Sequence, residues 1–144
     1  MLTTSVPDEF WAPMRVLLAD DDALLRSLLR RHLEQDGIKA EEAADGVDVL
    51  TRLERPPLPD AVVLDVGMPG EDGLTILRHI RGNVVTAGLP VVMLTGRRTS
   101  LDVASALALG VSGYVAKPFN PARLLALLRR LGHSTPERPG SDPR

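Results

Sequence analysis

Four short apolar runs, each ending abruptly on a polar or charged residue, constrain this chain more than any other feature. Residues 16–19 lead into Asp20-Asp21-Asp22, residues 61–64 into Asp65, residues 90–94 into Thr95 and residues 111–116 into Lys117. Apolar strings of this length suit parallel strands covered on both faces. The stretches between them repeat at helical spacing. Leu24, Leu25, Leu28, Leu29 and Leu33 recur with Arg26, Arg30 and Arg31 between them, Asp22 is placed to cap their first turn, and Gly37 closes the helix.

Residues 38–43 read as a half-exposed edge strand, because Lys39, Glu41 and Glu42 interrupt its apolar positions. Asp45-Gly46 turns the chain into a short helix carrying Val47, Leu50 and Leu53, which the Pro56-Pro57 pair must end. Leu74, Ile76, Leu77 and Ile80 mark a third helix stopped by Gly82, residues 100–109 a fourth, and residues 121–131 a last one opened by Pro121. Strand and helix alternate five times. Such alternation predicts an α/β fold, a doubly wound five-stranded parallel sheet with five helices on its two faces. The least interrupted runs, at Val16, Val62 and Val91, belong in the centre, and the strand at Ile38 at an edge. Ligands of such sheets bind beyond the carboxyl ends of the strands, where Asp20, Asp21, Asp65, Thr95 and Lys117 all fall. Three consecutive acids repel unless a cation or several donors meet them, so an acidic pocket is expected there.

A chain of 144 residues is one domain by prior and removes roughly 70% of its unfolded surface from water. It has no cysteine, which excludes disulfides, thiolate metal sites and a cysteine nucleophile, and suits a reducing cytoplasm. The net charge of -2 leaves no electrostatic footprint for nucleic acid. No apolar stretch is long enough to cross a bilayer, and the start of the chain lacks the pattern of a signal peptide. The expectation is therefore a cytoplasmic protein that binds neither membrane nor nucleic acid. Residues 1–13 read as a flexible leader whose Phe10 and Trp11 pack back on the domain, residues 14–132 as the domain, and residues 133–144 as a disordered tail or linker. His32, His79 and His133 share no metal-ligand spacing and are read as surface residues.

The motifs VLLADDD, VVLDVGMPGEDGL, VVMLTG and YVAKPF, in this order and each closing an expected strand, make residues 14–132 resemble the receiver domain of two-component response regulators. The resemblance implies a CheY-like, flavodoxin-like sheet of order 2-1-3-4-5. It also implies that Asp65 is a phosphoacceptor, taking a phosphoryl group from a sensor histidine kinase or phosphotransfer protein. Asp21 then matches a direct Mg2+ ligand, Asp20 its acidic companion, and the backbone carbonyl of Gly67 a further ligand beside Asp65. Lys117 matches the cation that meets the phosphoryl group, aimed by a cis peptide to Pro118. Thr95 matches the hydroxyl that bonds the group, and Tyr114 the aromatic switch residue that follows it. The surface built by the fourth helix, fifth strand and fifth helix would carry the output to a downstream protein target or a missing effector domain, or form a homodimer. The loop from Gly110 to Gly113 carries no acidic pair of the kind common in winged-helix transcription regulators, which weakens the case for their dimer mode. Gly67 and Arg97 occupy the positions that tune access of water to the acyl phosphate.

Two rivals remain at this level. A haloacid dehalogenase-type phosphatase also uses an aspartyl phosphate, and Asp20 with Asp22 mimics its opening, but Leu24 stands where Thr or Val is expected and its later acidic pair is missing. A receiver fold used as an unphosphorylated docking module usually loses part of the acid, acceptor and lysine set that this chain keeps. The expectation is a regulator and not an enzyme, with at most self-phosphorylation from small donors and self-dephosphorylation.

Overall fold

Short buried strands alternate with amphipathic helices in a computed structural model that describes residues 13–68, 72–96, 100–117 and 120–131, without the side chains of residues 100–103. The elements are β1 (Arg15–Ala19), α1 (Ala23–Gln35), β2 (Lys39–Ala43), α2 (Gly46–Leu53), β3 (Ala61–Asp65), α3 (Gly73–Gly82), β4 (Val91–Thr95), α4 (Ser100–Ala108), β5 (Gly113–Ala116) and α5 (Pro121–Leu131). All four strand pairings are parallel, in the order β2-β1-β3-β4-β5. The expected fold class, the central place of β1, β3 and β4 and the edge place of β2 are all observed. The leader with Phe10 and Trp11, the Pro69-Gly70 loop, Arg97, the Lys117–Pro118 peptide, His133 and the tail fall outside the described residues.

The pleat divides the strand residues between two cores. Leu17, Ala19, Val62, Leu64, Val91 and Met93 pack with α2, α3 and Ala106 of α4. Val16, Leu18, Val63, Val92, Leu94 and Val115 pack with Leu29, Leu33, Leu124 and Leu128 of α1 and α5. Alternate side chains of one strand point to opposite faces, so each apolar run feeds both layers, which is why these runs show no polar alternation. Truncating one such residue to Ala, for example Leu77, costs about 2–5 kcal/mol.

Helix ends follow from local chemistry. Asp22 accepts the Leu25 N–H at 3.0 Å and caps α1, as the sequence predicts. Gly37 (φ +82°) and Gly110 (φ +70°) terminate α1 and α4 in the left-handed region. Ile38 N–H bonds Leu33 O and Gly37 N–H bonds Glu34 O; Val111 bonds Ala106 and Gly110 bonds Leu107 in the same way, two Schellman ends. Two expectations shift. Asp45 is a cap, its side chain accepting the Asp48 N–H at 2.8 Å, and Gly46 is already helical. Gly82 is the last residue of α3, and the stop is Asn83, extended at ψ 124°, whose side chain accepts the Val85 N–H. Arg81 anchors this corner, donating to the carbonyls of Ala87 (3.0 Å), Leu89 (2.7 Å), Leu109 (2.7 Å) and Gly110 (3.0 Å). These carbonyls meet the guanidinium where burial lowers its pKa.

Candidate functional site

Strand register builds the site. Ala19 pairs with Leu64 and Leu64 with Met93, so Asp20, the first residue past β1, falls level with Asp65 at the end of β3. Thr95 ends β4 and pairs with Ala116, which puts Lys117 one residue beyond β5. One sheet edge thus receives two carboxylates, a hydroxyl and an ammonium from four neighbouring strands. Asp21 adds a third carboxylate, exposed on the turn between β1 and α1. Oxygens of Asp20, Asp21 and Asp65 lie within 4.8 Å of one another.

Lys117 lies between the two buried acids. Its Nζ is 2.9 Å from Asp20 Oδ2 and 3.5 Å from Asp65 Oδ2. The ammonium is therefore held more closely by Asp20 than by Asp65, the partner expected before reaction. Burial opposes its charge most strongly, but the bond to Asp20 and the two carboxylate charges outweigh this and leave its pKa raised. The Asp65 carboxyl is pushed up to about 6, first by burial and then by the charge of Asp20, against the Gly67 N–H and Lys117, which favour the ionised form. The Gly67 N–H bonds Asp65 Oδ1 at 3.2 Å, and a Cβ on Gly67 would meet nothing nearer than that oxygen at 4.0 Å.

Three gathered carboxylates, two of them sharing one lysine, are a set of hard oxygen donors with surplus negative charge. Such a set fits a small divalent cation of the Mg2+ type, which is bound by few carboxylates and keeps several waters. Asp22 is turned away onto α1 by its capping bond, so the acid pair of the phosphatase reading is not assembled.

Thr95 and Tyr114 sit on the α4 side. Both alternate with residues of the opposite layer, and Tyr114 packs against the core shared with α3 and α4. Thr95 is 1% exposed. The Tyr114 ring is half-buried, and its hydroxyl is buried without a hydrogen-bond partner among the described residues.

Two residues at the site were not singled out from the sequence. Gly73 opens α3 so close to β3 that a Cβ there would lie 2.7 Å from Val66 Cα and 2.8 Å from Asp65 O. Its N–H bonds Val66 O at 2.9 Å. The signal was the Asp72-Gly73 pair, a cap followed by a residue without a side chain. The second is Arg26, placed from the sequence only between the leucines of α1, whose Nη1 reaches the Asp20 carbonyl at 2.5 Å while its Nε bonds Glu42 at 2.7 Å.

A family model of the response regulator receiver domain matches residues 16–129. Response regulator MprA of Mycobacterium sp. (strain KMS) is 40% identical over 130 residues, covering 90% of this chain and 55% of its own length. The virulence transcriptional regulatory protein PhoP of Shigella flexneri is 39% identical over 121 residues, 81% of this chain and 53% of PhoP. The chain thus spans about half the length of these curated relatives. Among solved structures, chemotaxis protein CheY4 of Vibrio cholerae superimposes with a TM-score of 0.77 at 31% identity, covering 83% of this chain and 99% of CheY4. With its sheet order, its acidic strand ends and these likenesses, the chain belongs to the response regulator receiver domain family of two-component signalling.

Proposed function

We propose that the chain is a Mg2+-dependent phosphoacceptor switch in which Asp65 takes the phosphoryl group. The observation that carries this reading is the convergence of Asp20, Asp21 and Asp65 within 4.8 Å, with the Lys117 ammonium against Asp20 and Asp65. An Asp65 oxygen attacks phosphorus on a donor phosphohistidine, the P–N bond breaks, and its electron pair returns to the imidazole, which takes up a proton. The product is an acyl phosphate. Asp65 attacks as the carboxylate, so capture needs a pH above its value of about 6 or a cation that favours ionisation. Asp20, Asp21, the Asp65 side chain and the Gly67 carbonyl would hold Mg2+, which neutralises charge on the transferring oxygens. Lys117 supplies a second positive charge on the strand side, and Thr95 a hydroxyl donor to a phosphoryl oxygen.

The added charge and acceptor oxygens draw on Thr95, the Tyr114 ring follows, and the α4-β5-α5 face changes shape. The donor is a sensor histidine kinase or phosphotransfer protein, as membership of this family implies. The receiver unit comprises residues 14–132, flanked by a leader at 1–13 and a linker-like tail from 133. Its target is a separate protein, an effector domain joined to it, or a second copy through α4-β5-α5, and it works in the cytoplasm. No helix among the described residues is long and apolar enough to cross a membrane.

Incubation with acetyl phosphate and Mg2+, followed by intact mass, tests the reading against Asp65→Asn. One labile phosphoryl adduct on the parent and none on the variant is the expected result. A parent that stays unmodified with every phosphodonor would point to a docking module, and rapid turnover of phosphate esters to a phosphatase.

A further inference from the structure

The acidic turn between β1 and α1 is held by more than its own residues. Asp20 donates its N–H to Ala43 O at 3.2 Å, receives the Asp22 N–H on Oδ1 at 2.9 Å and meets Lys117 through Oδ2 at 2.9 Å. Its remaining acceptor, the backbone carbonyl, takes the 2.5 Å bond from Arg26 Nη1. Arg26 itself is oriented by Glu42 on β2, whose Oε1 accepts from Nε at 2.7 Å. The same Glu42 carboxylate accepts from Arg30 Nη1 at 3.2 Å, and Arg30 also meets Glu34, but neither reaches the turn. Glu42 is held ionised, its pKa lowered chiefly by the Arg26 bond.

The peptide unit whose carbonyl Arg26 holds is the one that joins Asp20 to Asp21. With that plane fixed by Arg26 and the following one by the Asp22 N–H bond to Asp20 Oδ1, the two dihedrals of Asp21 are set, and with them the direction in which its side chain leaves the backbone. Asp21 is exposed, so this backbone restraint does much of the work of aiming its carboxylate at the cluster with Asp20 and Asp65. Resting on the phosphoacceptor reading above, we infer that Arg26, steered by Glu42, is a positioning residue for cation binding at the acidic pocket, holding the Asp20–Asp21 peptide so that the Asp21 carboxylate faces Asp65.

Calorimetric titration of the full chain with MgCl2, with urea unfolding measured in parallel, tests the assignment. Arg26→Met keeps the aliphatic stem and removes the donors, and its Mg2+ Kd is expected to weaken about tenfold, the scale of lost groups that orient metal ligands. Arg26→Lys, which keeps the charge but replaces the planar fork by a single nitrogen, is expected to recover part of the affinity. Arg30→Met loses the Glu42 and Glu34 contacts, leaves both Arg26 bonds in place and is expected to bind within about twofold of the parent. Loss of affinity in Arg26→Met that exceeds any change in urea midpoint, with Arg30→Met unaffected, supports positioning. Equal Mg2+ affinity in Arg26→Met and the parent overturns it, as does an equal loss in Arg30→Met, which would reduce the effect to charge at the β2 edge. A parent that binds no Mg2+ removes the phosphoacceptor reading and this inference together, whereas a parent that binds Mg2+ but takes no phosphoryl group removes the former alone.

Discussion

Replacing Asp65 by Asn should make the protein more stable at neutral pH while removing the acceptor. The carboxyl is pushed from its ordinary 3.8 to about 6 because burial and Asp20 penalise its charged form more than Lys117 and the Gly67 N–H favour it. A group whose folded pKa lies above its unfolded one binds more protons folded than unfolded. Stability therefore falls as pH rises from about 4 to about 6, and stays at the lower level above that. The gap corresponds to about 3 kcal/mol at most, and solvent at the mouth of the site reduces this to about 1–2 kcal/mol. Asn keeps the shape and an oxygen for the Gly67 N–H without the charge. At pH 7.5 and without divalent cation, Asp65→Asn should melt about 4–8 °C above the parent. At pH 3.5, where the parent carboxyl is mostly protonated in both states, the two should melt nearly together. Adding Mg2+ should stabilise the parent more than the variant, narrowing the difference. Scanning calorimetry across pH decides the matter. A variant less stable than the parent at pH 7.5, or a gain that persists unchanged at pH 3.5, would refute the argument that unbalanced charge strains this pocket.

Lys117→Met leaves Asp20 and Asp65 without their cation and should cost about 2–4 kcal/mol in urea unfolding at pH 7.5, with a smaller loss at pH 4, where Asp65 takes up a proton. Tyr114→Phe removes a buried hydroxyl that has no partner among the described residues, so it should be neutral or stabilising by about 1 kcal/mol, and a loss of stability in the same assay would show that the hydroxyl is satisfied. Gly73→Ala puts a methyl 2.7 Å from Val66 Cα, so α3 must retreat from β3. The variant should lose about 1–3 kcal/mol and slow acetyl phosphate capture, whereas unchanged stability would mean that the α3 start yields freely.

The buried strands were legible because the period-2 pleat feeds two apolar layers, leaving unbroken strings such as residues 61–64 that few other structures produce. Each string also stops where its strand does, so Asp65, Thr95 and Lys117 could be placed at one edge before any register was known. Asp22 and Gly37 followed from local rules, since a cap and a left-handed stop involve only neighbours in sequence. Strand order was not readable from periodicity and came with the resemblance. The role of Arg26 was not legible because its two partners, Asp20 O and Glu42, are brought together only by the pairing of β1 with β2. Asp45 and Gly46 allow both a turn and a capped helix, and it is the bond to Asp48 that separates the two. The closer tie of Lys117 to Asp20 than to Asp65 depends on side-chain distances of half an ångström or so, which no motif encodes.

The four carbonyl bonds of Arg81 carry a mechanical consequence. Two of them secure residues 109 and 110, just beyond the carboxyl end of α4, and the Gly110 Schellman turn clamps the same corner. A tug arising beside Thr95 would meet α4 at its opposite end, so the helix would swing like a lever hinged near Arg81 instead of sliding along its axis. Amide exchange should then be slower at Gly110 and Val111 than in the first turn of α4, and the reverse order would mean that the hinge lies elsewhere.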